Sequence, residues 1–193
     1  MGESRLKLFT SELQVESRAG LTISLLILLT AVILRIAIIG RISTIDADEG
    51  YSLVSARFIQ QGMEPYNDFF LAQTPLWFYL IVAAWEALDI QSPMVAWALA
   101  RSICVLAAAL TVILVHLTSR RVGGEQQGIL TAVLLSASMT FYFYGFATTP
   151  EITSGLLAII GIFLSIREQT KTSTLLSGLF LGLGGMTKAS ALY

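Results

Sequence analysis

The chain has 193 residues, of which 55% are hydrophobic and only 13% charged, with a formal net charge of −1. A chain of this length cannot bury so much apolar surface in a soluble domain, and its mean hydropathy is +0.74. These values exclude a soluble globular protein, and no basic surface for nucleic acid is indicated. We therefore predict an all-α polytopic membrane protein.

The first element in chain order is a polar segment over residues 1–20, which we expect to lie in the cytoplasm. Residues 21–39 are apolar over about the length that crosses the hydrocarbon core as a helix. No small-residue cleavage site follows them, so a retained first span is predicted. Arg35 lies near its far end and either snorkels to the interface or binds an anionic group.

Three carboxylates follow this span within four residues, at Asp46, Asp48 and Glu49. Carboxylates at such a position are typical of a helix start, where they accept hydrogen bonds from free amides. A carboxylate can also take a proton from an alcohol as a general base. Capping and catalysis are compatible, so the sequence supports both interpretations of Asp48.

The carboxylates lie in a predicted external loop over residues 41–93. An amphipathic helix over residues 49–61 is predicted to lie on the membrane surface, with Tyr51, Val54 and Phe58 on its apolar face. The next apolar run, residues 75–88, has only about 14 residues, which is typical of a re-entrant or interfacial element. Four of its aromatic residues are predicted to be interface anchors: Trp77, Phe78, Tyr79 and Trp85.

Four later apolar runs are each predicted to span the membrane: residues 94–117, 129–146, 152–166 and 175–193. Glycines in the last of these predict close helix packing at Gly178, Gly182 and Gly185.

The placement of basic residues predicts the topology. If residues 75–88 do not cross the membrane, seven basic residues are cytoplasmic: Arg5, Lys7, Arg18, Arg120, Arg121, Arg167 and Lys171. Only Arg41 and Arg57 are then external, as the positive-inside rule prefers. This arrangement places Glu151 on the same external side as Asp48, and Lys188 in the outer half of its span.

Arg35, Arg101 and Lys188 lie in apolar runs, where an ionisable residue suggests a functional site or an internal ion pair. Each is a candidate cation for an anionic ligand. Arg101 is alternatively a structural partner of Glu86 or Asp89. Glu151 is alternatively a favourable charge at a helix N-terminus.

Several motifs stand in a fixed order along the chain. They are Asp48-Glu49-Gly-Tyr51, a Pro-Leu-Trp-Phe-Tyr run from Pro75, Arg101, Arg120-Arg121, Glu151 and Gly185-Met-Thr187-Lys188. This set resembles the N-terminal module of the GT-C glycosyltransferases, specifically the protein O-mannosyltransferases and the aminoarabinose transferases that modify lipid A. The resemblance implies a transmembrane module over residues 21–193, with external amphipathic helices between the first and second spans. Because relatives continue with further spans, we expect the chain to be truncated at its C-terminus and inactive alone.

The resemblance implies an integral enzyme of the cell membrane that takes a sugar from a polyprenyl-phosphate donor. The hexosyl or pentosyl group would pass, with inversion, to a lipid, glycan or protein acceptor on the external or periplasmic face. Asp48 would be the general base, Glu49 its neighbour that orients it, and Glu151 the second acidic position. Lys188, Arg101 and Arg35 would bind the lipid phosphate.

Cofactors are not determined by the sequence. If a divalent metal ion bridges carboxylates and phosphate, Asp48 and Glu151 are its candidate ligands, and no histidine cluster predicts a transition-metal site. Two other classes are also open: a transporter or flippase fragment with charges lining a path, and a non-catalytic membrane scaffold subunit.

Overall fold

The computed structural model describes residues 47–167 and 170–189, together with five helical positions, Thr22, Leu26, Leu29, Thr30 and Ile33. The segment 1–20, the rest of the predicted first span with Arg35, and Asp46 lie outside the described residues. The described continuous ranges form seven helices, α1 Ala47–Gln60, α2 Leu76–Ala87, α3 Pro93–Gly123, α4 Glu125–Ala137, α5 Met139–Tyr144, α6 Pro150–Arg167 and α7 Lys171–Thr187. This confirms the predicted all-α membrane module.

Helix α1 starts with Asp48 and Glu49 in its first turn and ends with Arg57 in its last. These charges oppose the helix dipole at both ends and favour the helix. Gly62 follows with a positive φ of 86°, which a glycine adopts without strain and which ends the helix. The predicted helix is thus confirmed, but its buried face is built from small residues, chiefly Ser52, Ser55 and Ala56, and its external location stays a prediction.

Helix α2 is a core element, which corrects the prediction that its aromatic residues are interface anchors. Trp77 and Phe78 are fully buried and Trp85 is 1% exposed, whereas Tyr79 is 47% exposed. The reason is that α1 covers α2, and the start of α3 completes the same apolar cluster. Tyr51 on α1 packs edge-on against Phe78 with ring centroids 6.2 Å apart.

Among the described helices, α3 and α6 are long and apolar enough to cross a membrane. The predicted span over residues 129–146 is not one continuous helix, because it divides into α4 and α5 at Ser138. Ser138 has extended backbone angles, and its hydroxyl accepts a hydrogen bond from the Phe141 amide at 3.5 Å. A serine competes for backbone hydrogen bonds in this way and starts a new helix.

Helices α6 and α7 pack closely against each other, and the glycines at their contact agree only in part with those predicted. A Cβ at Gly161 would lie 2.8 Å from Leu181 Cγ and 2.9 Å from the Ser177 carbonyl oxygen. Gly178 and Gly182 have no such neighbour within 4 Å, because they lie on the other side of α7. Of the three predicted glycines, Gly185 is buried, whereas Gly178 and Gly182 face open space, and the structure adds Gly161 to the small residues that permit close packing.

We expect Gly161→Ala to lower the stability of the protein by about 1–3 kcal/mol, because the added methyl group meets backbone and forces the helices apart. The matched control is Gly178→Ala, where a methyl group enters open space and should be neutral or slightly stabilising. Thermal denaturation of both variants in detergent measures the difference. Equal melting temperatures would contradict the close contact at Gly161.

Candidate active site

A buried carboxylate joins three elements at one end of the helix bundle. Glu49, in the first turn of α1, is fully buried. Arg101 of α3 donates from Nε to Glu49 Oε1 at 2.8 Å and from Nη2 to Oε2 at 2.7 Å. The backbone amide of Thr148, in the loop before α6, donates to Oε1 at 2.9 Å. A two-point arginine–carboxylate contact of this kind fixes the relative position of α1, α3 and the 147–149 loop.

Arg101 lies close to two aromatic rings. Its guanidinium carbon lies 4.1 Å from the ring centroid of Trp97 and 5.7 Å from that of Phe146. The prediction of a structural ion pair for Arg101 is confirmed, but the partner is Glu49 and not Glu86 or Asp89. A direct role for Arg101 in binding phosphate stays a prediction.

The environment of Glu49 changes its acidity in two opposing ways. Burial alone would raise the pKa of this carboxyl group, since it removes water from the charged form. The hydrogen bonds from Arg101 and Thr148 outweigh burial, so the pKa of Glu49 lies below its ordinary value. Glu49 is therefore ionised and held in place, which is unsuitable for accepting a proton.

Asp48, one residue earlier, has the opposite environment. Its side chain is exposed at the start of α1. Asp48 and Tyr51 are three residues apart and are thus neighbours on one face of the helix. The Tyr51 hydroxyl accepts a hydrogen bond from the Ala72 amide at 2.6 Å, and Ala72 lines a cleft. Asp48 thus lies one turn from Tyr51, the α1 residue that is bonded to the wall of that cleft.

The cleft has a volume of about 370 Å³ and lies between the loop before α2 and the end of α7. Its lining residues are Tyr66, Leu71, Ala72, Gln73, Thr74, Lys188 and Ala189. Buried side-chain oxygens of Gln73 and Thr74 have no hydrogen-bond partner in the part of the chain that the structure describes. A cavity with a cation and unsatisfied polar groups is suited to a polar, anionic ligand.

Lys188 is the cation of this cleft, and it forms an ion pair with Glu151. The ammonium group contacts Glu151 Oε1, and the two side chains are 29% and 23% exposed. The second carboxylate oxygen of Glu151 is buried and has no partner among the described residues. The pair joins the start of α6 to the end of α7 and holds Lys188 at the cleft.

The acidic residues and the basic turns lie at opposite ends of the bundle. At the far end, Arg121 of α3 donates to the Arg167 carbonyl oxygen of α6 at 2.8 Å. Along the axis of α3, Arg101 and Arg120 are about 28 Å apart at 1.5 Å per residue. The prediction that Glu151 meets the segment of Asp48 and Glu49 at one end agrees with this arrangement, because Thr148 binds Glu49 directly.

No group of three or more histidine, cysteine, aspartate or glutamate side chains is placed to hold a metal ion within the described ranges. Glu151 is paired with Lys188, and Asp48 is exposed. A divalent metal ion at Asp48 and Glu151 therefore stays a prediction. Arg35, the third predicted phosphate ligand, lies outside the described residues.

Sequence reasoning missed the contacts made by backbone. The Thr148 amide and the Ala72 amide carry no signal in the amino-acid sequence, because every residue except proline has this group. The tyrosine of the Asp48-Glu49-Gly-Tyr51 motif was the one residue in the sequence that could have indicated the contact between α1 and the cleft wall.

The fold and this cluster define an all-α membrane module with acidic and basic side chains gathered at one end. The model of the dolichyl-phosphate-mannose-protein mannosyltransferase family matches residues 73–193, which is more than half of the chain. The chain therefore belongs to this family, and membership implies glycosyltransferase activity in general. The match begins after Asp48 and Glu49. Comparison with curated proteins and with solved structures found no match.

Proposed function

We propose that the protein transfers a sugar from a polyprenyl-phosphate donor to an acceptor hydroxyl at the membrane surface, with Asp48 as the general base. The observation that carries this proposal is the polar cleft lined by Lys188, whose wall residue Ala72 is hydrogen-bonded to Tyr51 of α1. The cleft contains the cation Lys188, and the exposed Asp48 lies in the same helix as Tyr51, in a chain that belongs to a mannosyltransferase family. The proposal covers a hexosyl or pentosyl group and a lipid, glycan or protein acceptor.

The proposed reaction is a single displacement at the anomeric carbon. The acceptor oxygen forms a bond to that carbon while the bond to the phosphate oxygen breaks, and attack from the opposite face inverts the configuration. The acceptor proton passes to the Asp48 carboxylate, and the phosphate leaves with the bonding electron pair. A phosphate monoester is already a good leaving group, so a nearby cation assists it more than a strong acid would.

Lys188 is the proposed cation for the donor phosphate. Its pairing with Glu151 gives Glu151 the role of positioning this ammonium group. Glu49 and Arg101 are proposed to position the first turn of α1, since both are buried and bonded to each other. Because Glu49 is fixed, the backbone that carries Asp48 is fixed as well.

The proposed topology is multi-pass in the cell membrane, with the N-terminus cytoplasmic and the cleft on the external or periplasmic face. Support comes from the two ends of the bundle, since the basic residues Arg120, Arg121, Arg167 and Lys171 gather opposite Glu49 and Glu151. Basic residues favour the cytoplasmic side. A cysteine introduced beside Glu64, in the loop between α1 and α2, should react with a membrane-impermeant maleimide in intact cells.

The enzymatic test is transfer of a radiolabelled sugar from a polyprenyl-phosphate donor by membranes that contain the full-length protein. We expect Lys188→Gln to raise the KM for the donor by about tenfold, because a charge-assisted contact to phosphate is lost. Lys171→Gln, at the other end of α7, is the matched control and should leave the KM unchanged. An unchanged KM in Lys188→Gln would remove Lys188 from the donor site.

A further inference from the structure

Two cavities adjoin at Arg57, and neither shares a lining residue with the Lys188 cleft. One is apolar, has a volume of about 260 Å³ and is lined mainly by Leu53, Val54, Trp85, Met94, Ala96 and Trp97. The other is polar, also about 260 Å³, and is lined by Gln60, Gln61, Glu86 and Gln91. Arg57 belongs to both, so a single guanidinium marks the boundary between them.

The apolar cavity has a buried inner lining and an exposed rim. Ala96 is 5% exposed, and its carbonyl oxygen accepts a hydrogen bond from the buried Trp85 indole at 3.1 Å, so these polar groups are satisfied. Val54 and Met94 at the rim are 53% and 66% exposed. Apolar surface of this kind is favourable against an acyl chain and unfavourable in water.

Arg57 has the geometry and the free charge for a phosphate group. Its guanidinium contacts the Gln60 side-chain oxygen and the Gln91 carbonyl oxygen, the latter at 3.4 Å. Within the described ranges, no carboxylate forms an ion pair with Arg57, although Glu86 lines the same polar cavity. A guanidinium carries five N–H donors in a planar fork, which matches phosphate oxygens.

We propose that this pair of cavities binds a membrane glycerophospholipid. Part of one acyl chain lies in the apolar cavity, the phosphate is held by Arg57, and the headgroup enters the polar cavity beside the glutamine amides. The lining changes from apolar to polar at Arg57. The site therefore suits a lipid that is apolar at one end and phosphorylated at the other. It is separate from the proposed transfer site and uses neither Asp48 nor Lys188.

Photochemical labelling tests the proposal. The full-length protein is reconstituted in vesicles with phosphatidylglycerol that carries a diazirine on one acyl chain, and labelled peptides are mapped by mass spectrometry. We expect cross-links within residues 53–57 and 93–97. Arg57→Gln should reduce this labelling about tenfold, since a charge-assisted phosphate contact is lost.

A second variant and two controls separate this site from general contact with the bilayer. Val54→Asp places a carboxylate three residues from Arg57 on one helical face and should reduce labelling similarly. Arg121→Gln, an exposed arginine at the other end of α3, should leave it unchanged. Equal labelling by diacylglycerol with the same diazirine chain, or unchanged labelling in Arg57→Gln, would overturn the proposal.

Discussion

Replacing Asp48 with asparagine is expected to reduce sugar transfer by about 10²–10⁴-fold, the range that a general base contributes. Asparagine has nearly the same shape but cannot take the acceptor proton. Since Asp48 is exposed and outside the Glu49–Arg101 contact, the amount of folded protein in the membrane should not change. The measurement is the initial rate of transfer at a saturating donor concentration, divided by the protein level in the membrane.

Glu64→Gln is the matched control for this substitution. Glu64 is also an exposed carboxylate, and it lies in the connection between α1 and α2. Its oxygen accepts a hydrogen bond from the Asn67 side-chain amide at 2.9 Å, a local contact within the loop that follows α1. Transfer by this variant should remain within about twofold of the unmodified protein, as expected for a surface substitution. Full activity in Asp48→Asn would refute the proposed mechanism and favour a scaffold or a transporter.

Arg101→Met is expected to destabilise the protein by about 3–5 kcal/mol, because it leaves the buried Glu49 carboxylate without its cation. Methionine has similar length and fills the space between Trp97 and Phe146, so the lost charge dominates over lost packing. A change of this size corresponds to a melting temperature lower by about 10 °C. Thermal denaturation of the purified protein in detergent measures it.

The double variant Arg101→Met with Glu49→Gln tests the cause of this stability loss. It distinguishes the unpaired charge of Glu49 from the loss of packing around Arg101. Glutamine carries no charge to be stranded and can still accept the hydrogen bond from the Thr148 amide. We expect the double variant to recover part of the stability lost in Arg101→Met. Arg121→Met, where the arginine is exposed, controls for loss of an arginine from α3. Equal stability of Arg101→Met and the unmodified protein would show that the buried pair contributes no net stabilisation.

The two predictions address neighbouring carboxylates with opposite roles. Glu49 is buried, ionised and bonded at both oxygens, so its loss acts through the position of α1. Asp48 is exposed and should affect the rate alone. The structure therefore predicts that stability and catalysis separate between adjacent residues, with Arg101 variants changing both and Asp48 variants changing only transfer.

Much of the architecture was predictable because it depends on one-dimensional patterns. Hydropathy defined the all-helical membrane class, and the length of the run after Pro75 separated a short helix from a span. The distribution of arginine and lysine placed the basic turns opposite the acidic segments. An ionisable residue in an apolar helix requires compensation, so a partner for Arg101 was expected even though its identity was not.

Other features depend on how the helices rotate and pack, which no local pattern determines. Successive residues of a helix point about 100° apart, so either Asp48 or Glu49 could have faced α3. The contact of α1 with α2 and α3 decided that Glu49 is buried. The same contact placed Trp77 and Phe78 in the core, although their aromatic character suited the membrane interface equally well.

By itself, the sequence determined the class of this protein, most of its helices and the family to which it belongs, because hydropathy, length and ordered motifs are properties of the chain. Only the tertiary structure decided the partner of Arg101, the glycine at the α6–α7 contact and the cleft beside Lys188. These depend on distances between segments far apart in sequence, and on backbone amides such as that of Thr148, which are chemically alike at almost every position.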